Sequence, residues 1–171
     1  MTEHQLHYLM HEWTYWFDKD DYQQVSGIEE QRIENVFTFE TVEHFWTLKK
    51  EIPLFSEMKK GSAMYLLKKD ISPNGNQLEQ KTKLKFLVDK SIADKSFETL
   101  ALMIIGEKLD QCEFIDGISY SISANARFTI FFSDWDDVEN KYFTDDLMDT
   151  IDFPSRPKFD LFLKDKTKKQ L

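Results

Sequence analysis

Apolar and polar residues alternate along residues 12–17, 31–39, 62–68, 84–89, 117–123, 127–133 and 158–163, the period of strands that bury one face. Three other stretches, 41–52, 91–109 and 136–151, carry apolar residues at helical spacing. The resulting order is β-β-α-β-β-α-β-β-α-β. Hairpins punctuated by helices, without strand-helix-strand alternation throughout, predict an α/β fold of the α+β kind, an antiparallel sheet with the helices packed on one face. Pro53 closes the first helix, and Ser91 followed by Asp94 reads as a capping box opening the second. No repeat, low-complexity linker or domain boundary interrupts the pattern. A single domain over residues 1–171 is expected, with an N-terminal arm at 1–10 and a basic tail at 164–171.

Two of the helices have more apolar surface than a core needs. The first would bury Phe45, Leu48 and Ile52, leaving Val42 and Trp46 on a shoulder roughly 100° away. The second has one stripe of Phe97, Leu100, Ala101 and Ile104 and another of Leu102, Ile105 and Leu109 beside Glu98. Two neighbouring helices with spare stripes form a groove for a third, amphipathic helix. The competing outcome is that a terminal segment, such as the stretch around His7, covers them.

Composition narrows the classes of function. With 41% hydrophobic and 15% aromatic residues in 171, the chain can build a core without disulfides or a structural metal. Cys112 is the single cysteine and no Cys/His cluster has zinc-ligand spacing, so a reducing, cytoplasmic setting without a metal is expected. Nothing has the order of a signal peptide, and no apolar run approaches the roughly 18 residues of a span, so no membrane partner is expected. The net charge of −9, with arginine only at Arg32, Arg127 and Arg156, argues against coating long nucleic acid and leaves room for recognising a short nucleotide feature. His4, His7, His11 and His44 stand apart from any nucleophile motif, phosphate loop or metal triad. Asp134, Asp136 and Asp137 read as the acidic start of the third helix. Neither an enzyme nor a cofactor is expected.

Three aromatic-rich strings stand in order: His7-x-Leu9-x3-Trp13-x2-Trp16-Phe17, Phe39-x-Thr41-Val42-Glu43-x-Phe45-Trp46, and Phe97-Glu-Thr-Leu100 to Ile105-Gly106-Glu107. Together they resemble the eukaryotic initiation factor 4E family, the messenger RNA cap-binding proteins, over about residues 7–163. The resemblance implies a curved antiparallel sheet of seven to eight strands with three helices on its convex face. It also implies two ligands: the 7-methylguanosine cap at the 5′ end of mRNA in the concave face, and a Tyr-x4-Leu-hydrophobic helix of a 4G-like factor or repressor on the back. For the back, the matching positions are His7, Leu9, Val42, Trp46, Leu102 and Gly106. Glu98-Thr99 stands where the family has Leu-Glu, and Tyr8 where proline is usual.

The front departs further from the family. Its members hold the cationic base between two tryptophans, because a positive purine is attracted to electron-rich ring faces. Here the first loop, Lys19 to Glu30, has Tyr22 as its aromatic, and Gly75 falls where the second tryptophan is expected. Asn76 lines up with the carboxylate that reads the base edge, and Ser123 and Asn125 replace basic residues. The implied rebuilt pocket has Tyr22 stacking on the base with Trp135 or Phe132, Glu79 or Asp18 on the base edge, and Arg127 with Lys83 on the phosphates. The alternative is an adaptor or competitor of the same fold that has lost cap binding and grips only 4G-like peptides. Taken singly, Phe132 is equally a core residue and Lys81 to Lys85 one charged strand face.

Overall fold

In the computed structural model, which describes residues 6–18, 33–136, 142–164 and 167–171, the alternating segments pair into one eight-stranded sheet. Its strands are β1 (Tyr8–Asp18), β2 (Ile33–Thr41), β3 (Ala63–Lys68), β4 (Thr82–Val88), β5 (Ile115–Ile122), β6 (Ala126–Phe132), β7 (Asp160–Phe162) and β8 (Lys168–Gln170). They run in the order β2-β1-β3-β5-β6-β4-β7-β8, every neighbouring pair antiparallel. The helices described are α1 (Val42–Lys49), α2 (Ala93–Ile105) and α3 (Phe143–Thr150). One face of the sheet, with Trp13, Tyr15, Leu66, Leu84, Phe86, Ile118, Phe128 and Ile130, packs with Phe45, Leu100, Ile104 and Leu147 of the helices into the main core. This is the convex side of the sheet, and it collects the helices because each strand turns alternate side chains toward them.

Element ends differ from the sequence pattern for local reasons. Beyond Lys49, Glu51 and Ile52 donate to the carbonyls of Leu48 and Lys49, so 50–52 is a tightened turn rather than more helix. The capping box at Ser91 does not form. Asp89 accepts from both the N–H and the hydroxyl of Ser91, while Asp94 turns away and accepts the N–H of Phe55 at 2.6 Å. α2 stops four residues early in a Schellman turn: Glu107 adopts φ +52°, and the N–H groups of Glu107 and Lys108 reach the carbonyls of Ile104 and Met103. α3 begins at Phe143, so Asp134 and Asp136 lie in the loop before it and not in its first turn; Asp137 lies outside the described residues. The expected basic tail is in part a strand, β8, whose Leu161↔Lys169 pairing with β7 closes the sheet's edge.

Gly117 is needed where it stands. A Cβ there would lie 2.3 Å from the Leu66 carbonyl oxygen and 2.7 Å from Leu67 Cδ2, so β3 approaches β5 closely only because the side chain is absent.

Candidate functional site

The convex side presents Trp46. Its ring stands edge-on against Phe45 at 5.3 Å yet keeps 43% of its surface exposed, while Phe45 is buried. Thr41 caps α1 by accepting the N–H of His44 at 3.2 Å, which fixes the turn from β2 and so the direction of both rings. Lys49, one turn after Phe45, lies 5.2 Å from the indole centroid and ion-pairs with Glu98 of α2. Leu102 is half-buried one turn beyond Glu98, and Gly106 ends the helix with its N–H on the Leu102 carbonyl at 3.0 Å. A Cβ on Gly106 would sit 2.9 Å from that same oxygen. Val42, Trp46, Glu98, Leu102 and Gly106 thus lie along the exposed surfaces of two helices joined by an ion pair.

His7 borders α1 by a different device. Its carbonyl accepts the N–H of Val42 at 2.9 Å, its own N–H donates to Glu43 Oε2 at 3.0 Å, and its Nδ1 lies 2.6 Å from Glu43 Oε1. These bonds, the side-chain one first, hold the Glu43 carboxyl down at about 2. Leu9 packs against the main core. Ile105 and Leu109, expected on the spare stripe of α2, are buried; the Schellman turn folds Leu109 inward, so the second stripe contributes Leu102 and not three residues.

The concave face is read from the strand register. One row across it is Thr14, Leu67, Gly117, Phe131, Lys83, Phe162, Lys168; the next is Trp16, Tyr65, Ser119, Thr129, Lys85, Asp160; a third is Asp18, Ala63, Ser121, Arg127, Leu87. The sheet therefore has an aromatic half on β1, β3 and β6 and a cationic half on β4, β6, β7 and β8. The loop from Asp70 to Lys81 folds over the aromatic half. Leu78, 8% exposed, packs on Leu67 and Phe131, with Trp16, Tyr65 and Ile71 at the margin. Asn74 donates to the Ile33 carbonyl at 3.4 Å, and the Lys81–Asp116 ion pair holds the loop's far end. The loop also borders a pocket of about 380 Å³, lined by its own Asp70, Ile71, Gln77, Gln80 and Lys81 together with Ser133 after β6 and Lys164 after β7. The indole nitrogen of Trp16 is buried with no acceptor among the described residues.

On the cationic half, burial lowers the basicity of Lys83, with nearby Glu79 opposing the shift. Burial lowers that of Lys85 as well, and the charges of Lys83 and Arg127 add to it. Desolvation is the larger cause at both lysines, and like-charge crowding adds to it at Lys85.

Comparison with known proteins gives this two-faced sheet its context. The family model described as eukaryotic initiation factor 4E matches residues 8–170. The chain belongs to that family. It is 31% identical over 125 residues to the eukaryotic translation initiation factor 4E of Dictyostelium discoideum, covering 70% of this chain and 49% of that one. With eukaryotic translation initiation factor 4E1 of Drosophila melanogaster it is 31% identical over 132 residues, 74% of this chain and 50% of the other. The chain spans about half the length of these curated relatives. Among solved structures it resembles Ascaris suum eIF4E-3 with an m7G cap, at a TM-score of 0.79 and 25% identity over 93% of this chain and 92% of that one. It also resembles C. elegans eIF4E-3 in complex with the 4E-binding protein Mextli, at 0.80 and 23%, covering 94% and 96%.

Within the initiation factor 4E fold, the residues suggested for a rebuilt pocket separate. Arg127, Lys83 and Asp18 reach the concave face, Asp18 being only 7% exposed, and Glu79 stands exposed on the loop above Lys83. Phe132 does not. It is fully buried on the convex side, edge-on to Trp135 at 4.9 Å and to Phe143 at 5.3 Å, and Trp135 is drawn to the core with it. The reason is parity: Arg127 and Phe132 are five residues apart on one strand and must point to opposite faces. The same rule puts Phe131 on the concave side, a signal that was available in the sequence. Tyr22 lies outside the described residues. Trp16, Tyr65 and Lys85 complete the concave set. Among the described residues no three His, Cys, Asp or Glu side chains are grouped to hold a metal ion, and no helix is long and apolar enough to cross a membrane.

Proposed function

We propose that this protein is a cytoplasmic, non-enzymatic translation initiation factor that binds the 7-methylguanosine cap of mRNA on its concave face and a Tyr-x4-Leu-hydrophobic helix of a 4G-like or repressor protein on its convex face. The observation that carries it is the pairing, in one initiation factor 4E fold, of a half-exposed Trp46 outside the sheet with basic Arg127 and Lys83 inside it. On the back, the indole offers a flat apolar contact and an N–H for a peptide carbonyl, with Val42 and Leu102 beside it and His7 and Leu9 at the margin. Glu98 and Lys49 supply a polar rim where the family has leucine, which favours a partner helix with a polar residue at its centre.

On the front, the cap pocket is non-standard. Arg127 and Lys83 meet the phosphates, Asp18 or Glu79 accepts from the base edge, and the methylated base lies on the aromatic floor of Trp16, Tyr65 and Phe131, with Tyr22 as the stacking group of the first loop. One observation favours the second reading, an adaptor without cap binding: Leu78 covers that floor with the chain's own loop. Retention on 7-methyl-GTP resin separates the two. Elution by 7-methyl-GTP but not by GTP supports the pocket, whereas peptide binding without retention supports the adaptor. Loss of both, with Trp46→Ala changing no interaction, would leave the fold without either role.

A further inference from the structure

The loop that covers the aromatic half of the concave face is bonded mainly to itself. The Ser72 N–H donates to Gln77 Oε1 at 2.7 Å and the Asn74 N–H to Ser72 Oγ at 3.1 Å. The Gln80 N–H reaches the Asn76 carbonyl and the Lys81 N–H that of Leu78, both at 3.3 Å. Among the described residues, the stretch 74–81 is tied outward at its two ends: the Asn74 amide donates to the Ile33 carbonyl at a long 3.4 Å, and Lys81 ion-pairs with Asp116. Between those ends Leu78 alone is buried. Gly75, at the tip, adopts φ +81°, and a Cβ on it would meet nothing within 4 Å. We infer that residues 74–80 are a self-occluding flap, with Leu78 as a plug on the aromatic floor that the base of the cap displaces.

The inference rests on the cap reading and gives the regulation of that same surface. Closing the flap removes one leucine from water, against Leu67 and Phe131. It also leaves the Trp16 indole N–H buried with no acceptor among the described residues, a cost that an open flap or a ligand oxygen relieves. One apolar contact set against one unmet donor leaves closed and open states close in free energy, which is the condition for a ligand to shift the population. A guanine base suits the place of the plug, being flat toward Tyr65 and Phe131 and having a carbonyl oxygen at its edge for the indole. The apparent affinity for the cap is then the intrinsic affinity multiplied by the open fraction. The covered floor is on this account a closed state and not a lost site. The opposing possibility is that Leu78 is a fixed member of its cluster, with 74–80 as rigid as the strands beneath.

The test measures 7-methyl-GTP affinity by fluorescence titration and exchange of the Trp16 indole proton by NMR, on the full chain and on its Leu78→Ser and Asn74→Ala variants. Leu78→Ser removes the plug and should raise affinity about tenfold, the scale of one leucine contact no longer competing with the ligand. It should also speed indole exchange while the backbone amides of β5 keep the protection they have in the parent. Asn74→Ala cuts the outer tie and should raise affinity about twofold, as for one long hydrogen bond. Unchanged or weaker binding by Leu78→Ser overturns the flap. Indole exchange that accelerates only together with the β5 amides shows that Leu78 holds the fold, and overturns it too. Should Leu78→Ser fail to fold, Asn74→Ala decides by the same two measurements. If neither the parent nor the variants bind 7-methyl-GTP, the cap reading fails by itself and exchange still decides: faster indole exchange with β5 protected upholds the flap, and unchanged exchange ends it.

Discussion

The two faces of this sheet treat their aromatic residues in opposite ways. On the convex side Phe45 is buried and Trp46, its neighbour in sequence, stands out, because a helix sends adjacent residues about 100° apart. On the concave side Trp16, Tyr65 and Phe131 lie under Leu78 and a loop pinned at Asn74 and Lys81. One face displays an indole and the other covers its rings. The contrast teaches that a binding surface on a helix can be read from periodicity, whereas one on a strand depends on what the loops do above it.

The contrast can be broken most sharply on β6. Phe132→Ala should cost about 3–5 kcal/mol, as for other buried aromatic truncations, and lower the melting temperature by roughly 10 °C. Phe131→Ala should cost less and act on ligand binding, since its cluster is the smaller one. Equal stability losses in calorimetry would deny that the two faces differ. Next in size, Trp46→Ala should weaken a Tyr-x4-Leu-hydrophobic peptide by about thirtyfold or more in calorimetric titration, the scale of an interface hot spot. Its melting temperature should stay near the parent's, because the ring is off the core stripe. Arg127→Gln should weaken 7-methyl-GTP about tenfold, as expected for one hydrogen bond to a charged group, without touching peptide affinity.

Smaller effects sharpen the same division. Burial pushes the Cys112 thiol up to about 11, so the native protein should react with iodoacetamide at pH 8 far more slowly than the unfolded chain. The tie between the His7 arm and α1 has its own pH window. Glu43 is held at about 2 against an ordinary 4.5, so its contribution is complete above about pH 4.5 and is lost as pH falls through 2. The Glu43 carboxyl carbon, followed by NMR, should titrate in that acid range, and Glu43→Gln should loosen the arm at neutral pH.

Strand and helix order, the antiparallel sheet and the exposure of Trp46 were legible in the chain because each follows from a local period. Adjacency and competition decided the rest. Phe131 and Phe132 are identical residues side by side, and the parity that Arg127 sets on that strand turns Phe132 to the core and Phe131 to the concave face. Ile105 and Leu109 share a helical stripe with Leu102, but Glu107 turns the backbone between them and sends Leu109 into the core. Ser91 had a better partner at Asp89, and Asp94 had one at Phe55, a residue far off in sequence.

By itself the sequence determined which residues alternate, which wind, and that an indole on the first helix would have no core to enter, since these depend on the 2.0 and 3.6 residue periods of the backbone. Only the tertiary structure decided that β8 closes the edge beside Phe162, that Leu78 lies across the concave aromatics, and that Lys49 meets Glu98 between helices. Those are contacts between segments distant along the chain, chosen by competition among partners that no local pattern ranks.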